Sequence, residues 1–148
     1  MRTQLSAEWT DHVDGAAGAA IVRKCVHCGF CNATCPTYRL LGDELDGPRG
    51  RIYLIKQVLE GEPVTRLTQT HLDRCLTCLA CETTCPSGVE YGRLVDIGRR
   101  LVDARVRRPW RERLLRCLLR EGLTARAFEP AAALGRRLRP LLPRLRRT

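Results

Sequence analysis

Residues 25–36 read C-V-H-C-G-F-C-N-A-T-C-P and residues 75–86 read C-L-T-C-L-A-C-E-T-T-C-P. The pattern C-x2-C-x2-C-x3-C-P therefore occurs twice, offset by 50 residues. Three cysteines at steps of three wrap a compact loop and turn their sulfurs toward one small volume. The fourth begins a turn that the proline diverts. A fold for this chain has to bring eight sulfurs together, and that requirement constrains it more than any other feature.

The chemistry follows from compartment and spacing. Residues 15–22 are small and apolar but too short, and preceded by Asp11 and Asp14, so they read as neither a secretory h-region nor a transit peptide. The expectation is a cytosolic protein with reduced thiols, where nine cysteines point to metal or catalysis rather than disulfides. Zinc in four-cysteine sites uses two separated C-x2-C pairs per ion. A third cysteine and a cysteine–proline pair are surplus to that pattern, so zinc is the lesser alternative. In two-cluster iron–sulfur ferredoxins the fourth cysteine ligates the other cluster. By that rule one [4Fe–4S] cluster takes Cys25, Cys28, Cys31 and Cys85, and the second takes Cys75, Cys78, Cys81 and Cys35. Such clusters carry single electrons, and crossed ligation couples metal binding to folding. His27 lies inside the first motif and could in principle ligate iron, but four thiolates saturate the site, so it is expected to flank the loop and tune hydrogen bonding.

The 39 residues from Pro36 to Arg74 exceed a short inter-motif turn and read as helix. Asp46-Gly47-Pro48 is a start signal; Ile52, Ile55, Val58 and Leu59 form an apolar face, and Gly61 marks a stop. A second helix is expected from a Thr70 N-cap through Leu72 and Leu76. A third runs from Val89 to Arg107 with Leu94, Ile97 and Leu101 on one face, where Gly98 costs about 1 kcal/mol. The Gly-Pro-Arg-Gly-Arg stretch at 47–51 has two readings: a phosphate, flavin or partner contact, or a helix entry whose arginines pair with Asp43, Glu44 or Asp46. No β alternation appears. The predicted fold is mostly α: an N-terminal segment 1–20, a helical ferredoxin domain 21–107 with two cluster-binding loops, and a basic helical extension 108–148.

Charge separates these parts. The net charge of +10 looks like a nucleic-acid signal until it is located. Residues 1–100 hold 12 basic and 12 acidic side chains; residues 101–148 hold 14 and 4. Beyond Pro109, residues Trp110, Leu114, Cys117 and Leu118 follow the spacing of a buried stripe, and Cys117 is expected as a small buried hydrophobe. Prolines 130, 140 and 143 break the remaining basic run into short pieces. The tail reads as a solvated linker to something absent, a dock for an acidic partner, or a contact with anionic lipid. Nucleic acid is disfavoured because Phe128 is the only aromatic after Trp110. No apolar run reaches the ~18 residues that spanning a bilayer needs.

The text CVHCGFCNATCPTYRLLGDELDGPRGRIYLIKQVLEG, followed by HLDRCLTCLACETTCPSGV, resembles the N-terminal part of the glycolate oxidase iron–sulfur subunit family. The cysteine pattern alone is shared with iron–sulfur subunits of anaerobic glycerol-3-phosphate dehydrogenase, lactate-utilisation proteins and heterodisulfide reductases. The inter-motif block LLGDELDGPRGRIYLIKQVLEG is the more specific part. The family subunit is much longer, with further cysteine-rich repeats that have no counterpart after Cys85, so the chain is expected to be a fragment or truncated form. The resemblance implies a non-catalytic relay of electrons from a flavin-bearing glycolate oxidase subunit, beside a second flavoprotein-like subunit. Electrons would pass toward the quinone pool at the cytoplasmic face of the membrane. No G-x-G-x-x-G fingerprint, nucleophile elbow or acid–base pair for a 2-hydroxy acid is present. The same relay in a lactate, glycerol 3-phosphate or heterodisulfide system is the alternative.

Because the eight motif cysteines account for both clusters, Cys117→Ala is expected to leave iron content unchanged. Iron analysis of the purified variant checks this, and loss of one cluster's iron would make Cys117 a ligand.

Overall fold

A computed structural model describes residues 1–126 and 128–138. The chain divides into two compact units, the first ending at Arg107 and the second starting at Arg108. Among the described residues every regular element is helical. In the first unit these are α1 (Ala7–Thr10), α2 (Val13–Lys24), α3 (Phe30–Ala33), α4 (Pro36–Leu41), a 3-10 turn (Glu44–Asp46), α5 (Pro48–Leu59), α6 (Arg66–Asp73), α7 (Ala80–Thr83) and α8 (Tyr91–Arg105). None of the described helices is long and apolar enough to cross a membrane.

The core forms where α2, α5, α6 and α8 turn their apolar stripes inward. Ile21 and Val22 of α2, Ile52, Ile55, Val58 and Leu59 of α5, Leu72 of α6, and Leu94, Val95, Ile97, Leu101 and Val102 of α8 are all buried in one cluster. These positions recur at three- and four-residue steps, as a helix facing a core requires. Residues before 21 join this packing. Trp9 is buried in the same cluster, and its indole N–H donates to the Val58 carbonyl at 3.0 Å.

The core helices aim the cysteine segments. Cys25 is the C-cap of α2, and Cys75 follows α6 closely, so each first cysteine leaves the end of a core helix. The short helices α3 and α7 carry Cys31 and Cys81. Pro48 opens α5 at its first turn, where a missing N–H costs nothing.

Several elements differ from the sequence reading. The helix expected from Thr70 begins at Arg66 with Thr65 as N-cap, whose side chain accepts from the Thr68 amide at 3.3 Å. Thr70 instead donates to the Arg66 carbonyl, and Leu76 lies outside the helix, exposed. The start at Thr65 is hard to see in the sequence because polar residues at 65, 66, 68, 69 and 70 leave little apolar period to mark it. Helix α8 is two residues shorter at each end than read.

In the second unit, α9 (Trp110–Thr124) starts after Pro109 and α10 spans Phe128–Leu138. The stripe expected to be buried is not: α9 has no buried residue, and Trp110, Leu114, Leu118 and Cys117 are exposed. Spacing marks which residues share a face, but burial needs an element to cover that face. Pro130 sits in the first turn of α10 rather than breaking the run, while Pro140 and Pro143 lie outside the described residues.

Gly98 also has a packing role that its helix propensity hides. A Cβ there would lie 2.6 Å from Ile55 Cγ1 and 2.7 Å from Ile55 Cδ1, so α8 and α5 approach closely at this point. Gly98→Ala is expected to lower stability by about 1–3 kcal/mol through overpacking, against the ~1 kcal/mol gain of alanine in a helix. Anaerobic denaturant unfolding measures it; a more stable variant would mean Ile55 swings aside freely.

Candidate metal centre

Both repeats bend their first loop in the same way. His27 and Gly29 in the first motif, and Thr77 and Leu79 in the second, all have positive φ, at 61°, 87°, 53° and 59°. These are the second and fourth positions after the leading cysteine in each copy. Three of the four are not glycine, and left-handed backbone there costs of order 1–3 kcal/mol each. Such residues turn backbone N–H groups toward a common centre, a geometry that suits anionic groups including iron–sulfur sites. The Thr77 amide does this visibly, donating to Cys75 Sγ at 3.4 Å.

The fourth cysteines cross over. One cavity is lined by Cys25, Cys28, Cys31, Cys81 and Cys85. The second is lined by Cys35, Cys75, Cys78 and Cys81. All eight motif cysteines are thus brought to two neighbouring hollows, and Pro48, Cys81 and Tyr91 line both. The two halves are tied where α3 meets α7, with Thr34 Oγ1 donating to the Ala80 carbonyl at 3.4 Å. Cys28 and Cys78 are exposed, whereas Cys25, Cys35 and Cys81 are buried.

The donor set fits an iron–sulfur group. Among the described residues no carboxylate lines either hollow, so a hard cation finds no charged oxygen ligand there, while five soft thiols line the first and four the second, Cys81 being common to both. Burial, aided by Cys25, pushes the Cys31 thiol up to about 11; burial, aided by Cys75, pushes Cys81 up to about 12. Without metal these thiols keep their protons, so binding has to expel them. Tyr91 is raised for the same reason, burial first and Cys75 second, and its hydroxyl donates to Cys75 Sγ at 3.7 Å. Helices α5 and α8 both start at this wall, at Pro48 and Tyr91, and the positive ends of their dipoles favour the negative charge four thiolates bring.

Around the second hollow lies a polar network the sequence did not reveal. Arg51 is fully buried, with Nε donating to the His71 carbonyl at 2.8 Å and both Nη groups donating to Thr37 Oγ1 at 3.2 Å. Its Nη2 lies 3.6 Å from Asp46 Oδ1. The buried Asp46 carboxylate also meets His71 Nδ1 at 2.9 Å and accepts from Arg74 at 2.7 Å. Burial raises the Asp46 pKa, but the bonds to His71 and Arg74 outweigh it and hold the carboxyl below its usual range. Arg49 bonds Glu44 at 2.5 Å, so the helix-entry reading of residues 47–51 holds for both arginines. Arg51 was detectable: it falls on the buried face one position before Ile52 and four before Ile55. His27 lines the first hollow with its Nδ1 buried and unpaired, and burial lowers its pKa.

The fold and the two cysteine-lined hollows define a helical dicluster ferredoxin. Residues 21–89 match the family described as "4Fe-4S dicluster domain", and the domain binds two [4Fe–4S] clusters. The chain is 60% identical over 144 residues to the glycolate oxidase iron-sulfur subunit of Escherichia coli K12, covering 97% of this chain and 35% of that protein. It is 43% identical over 116 residues to the probable glycolate oxidase iron-sulfur subunit of Bacillus subtilis, with 76% and 25% covered. A ferredoxin:CoB-CoM heterodisulfide reductase component from Methanosarcina mazei is 31% identical over 108 residues, with 72% and 62% covered. The chain thus spans about a third or less of the two glycolate oxidase relatives. No solved structure matches.

Asp46→Asn leaves the buried Arg51 without its counter-charge, and breaking such a pair costs about 3–5 kcal/mol. Denaturant unfolding at neutral pH is expected to show that loss. The depressed pKa fixes the sign with pH: the carboxylate's stabilisation is present above its unfolded value and is lost as pH falls through the folded one. The gap between wild type and variant therefore narrows in acid. An equal gap at all pH values would remove Asp46 from the stability argument.

Proposed function

We propose that this chain is the electron-relay segment of a flavin-dependent glycolate-oxidising complex. Cys25, Cys28, Cys31 and Cys85 hold one cluster, and Cys75, Cys78, Cys81 and Cys35 hold the other. The observation that carries the reading is the pair of hollows with a common wall, each closed by a cysteine from the opposite repeat. A [4Fe–4S] group supplies reversible one-electron transfer without bond making or breaking. The chain's own residues do the rest: they hold the two groups side by side, keep carboxylates out of both hollows, and leave one cysteine of each set at the surface.

Those surface cysteines supply an entry and an exit. Cys28 is flanked by exposed Val26 and Phe30, and Cys78 by exposed Leu76 and Leu79. Apolar rims of this kind exclude water where a partner sits close enough for electron transfer. One partner is a flavin-bearing catalytic subunit that takes two electrons from glycolate and passes them on singly; a second flavoprotein-like subunit completes the complex. Electrons leave toward the quinone pool, with the complex peripheral on the cytoplasmic face of the membrane. Segment 1–20 and the helical region 21–107 act as the cluster-bearing part, and 108–148 as a basic extension toward other parts of the complex. Glycolate is preferred to a heterodisulfide system because identity is 60% to the one relative and 31% to the other.

Two measurements test this. Glycolate added anaerobically to the complex with its flavoprotein is expected to bleach the cluster absorbance and give reduced-cluster EPR signals; reduction by lactate or glycerol 3-phosphate alone would reassign the complex. Cys35→Ser is expected to damage the cluster on Cys75, Cys78 and Cys81 while sparing the one on Cys25, Cys28 and Cys31. Damage to the first motif's own cluster would overturn the crossed assignment.

A further inference from the structure

Hydrogen-bond donors are distributed unevenly between the two sets of sulfurs. In the second hollow, Arg51 Nη1 lies 4.0 Å from Cys35 Sγ; Thr37 Oγ1 lies 3.2 Å from the same sulfur but gives its proton to the Asp46 carbonyl at 2.8 Å and accepts from Arg51, so it positions the guanidinium rather than donating to sulfur. The Tyr91 hydroxyl and the Thr77 amide both point at Cys75 Sγ, at 3.7 and 3.4 Å. Around Cys25, Cys28, Cys31 and Cys85 no side chain of the described residues donates to sulfur: the His27 Nδ1 that lines this hollow is buried without a partner, and Cys31 Sγ has Asn32 Oδ1, an acceptor, at 4.0 Å.

Charge is arranged in the same sense. The Arg51 guanidinium is 1% exposed and stands against the Cys35 sulfur, with the Asp46 carboxylate as its counter-ion. Solvent screens this buried group little. Arg49, the cation lining the first hollow, has its charge offset by Glu44 and is about a third exposed. Adding an electron to a thiolate-ligated cluster increases its negative charge, so donors and a cation at the sulfurs stabilise the reduced form more than the oxidised one. Hydrogen bonds to sulfur and net charge are among the factors that set such potentials.

We propose that Arg51 and Tyr91 raise the reduction potential of the cluster on Cys35, Cys75, Cys78 and Cys81 above that of its neighbour, so that it holds the electron after one-electron reduction. This deepens the relay reading and rests on the crossed ligation, giving the relay a direction: the hollow at Cys28 is the low-potential end and the hollow at Cys78 the high-potential end. Arg51 touches Cys35 whereas Tyr91 touches Cys75, so the two residues approach one cluster from opposite repeats.

The test is an anaerobic redox titration of the full chain followed by EPR, with iron and sulfide measured on each sample. Wild type is expected to show two midpoints. Arg51→Gln and Tyr91→Phe are each expected to lower the higher midpoint and leave the lower one in place. For Arg51→Gln the expected change is at least tenfold in the reduction equilibrium, or ~59 mV for one electron. Arg51→Lys, which keeps the charge, recovers most of that shift. Should Arg51→Gln lose iron, Tyr91→Phe, which removes a single hydroxyl, decides the matter. Movement of the lower midpoint, equal movement of both, or no movement with full iron overturns the proposal. If Arg51→Gln and Tyr91→Phe move different midpoints, the crossed ligation fails and the single tuned cluster with it.

Discussion

The wall formed by Pro48, Cys81 and Tyr91 separates two hollows, and the first unit is organised around it. Eight thiols have to approach closely in an apolar setting, which is unfavourable for thiolates without metal. Burial pushes Cys31 and Cys81 far above the ordinary thiol range, as expected when neighbouring sulfurs cannot all ionise. The same crowding becomes favourable once metal takes the protons' place. Because each hollow draws its cysteines from both repeats, metal bound there would tie positions 40 to 60 residues apart and couple binding to the folding of the first unit.

The helical core gives this wall its precision. Helices α5 and α8 pack at close range through Gly98, and each presents its first residue to both hollows. Left-handed residues at equivalent places in the two loops cost backbone energy that packing against this rigid pair has to offset. Helix dipoles then add a positive potential where the thiolates gather.

Electrostatics breaks the symmetry that the duplicated motif suggests. The second hollow has a buried arginine whose charge is balanced by Asp46, itself held by His71 and Arg74. The first has Arg49 near the surface, paired with Glu44. A buried ion pair adds little net stability over an apolar pair of the same volume, but it fixes a guanidinium against a sulfur, which is a functional arrangement rather than a packing one.

Much of the centre was legible in the chain. Spacing and the terminal prolines mark the two cysteine sets, and the 48–59 helix followed from its proline start and apolar period. What was not legible depends on what lies opposite a residue. Spacing puts Arg51 on the buried face but does not reveal the His71 carbonyl of α6 and the Cys35 sulfur that meet it there, and Trp110 to Leu118 look like core although the described residues leave them exposed. Leu79 adopts a backbone its side chain disfavours, for which the first repeat uses Gly29. Local order determined which atoms were available to bind metal, because ligand type and loop length are local properties. Tertiary structure decided which hollow each cysteine faces and which sulfurs meet a buried charge, because those depend on contacts between segments far apart in sequence.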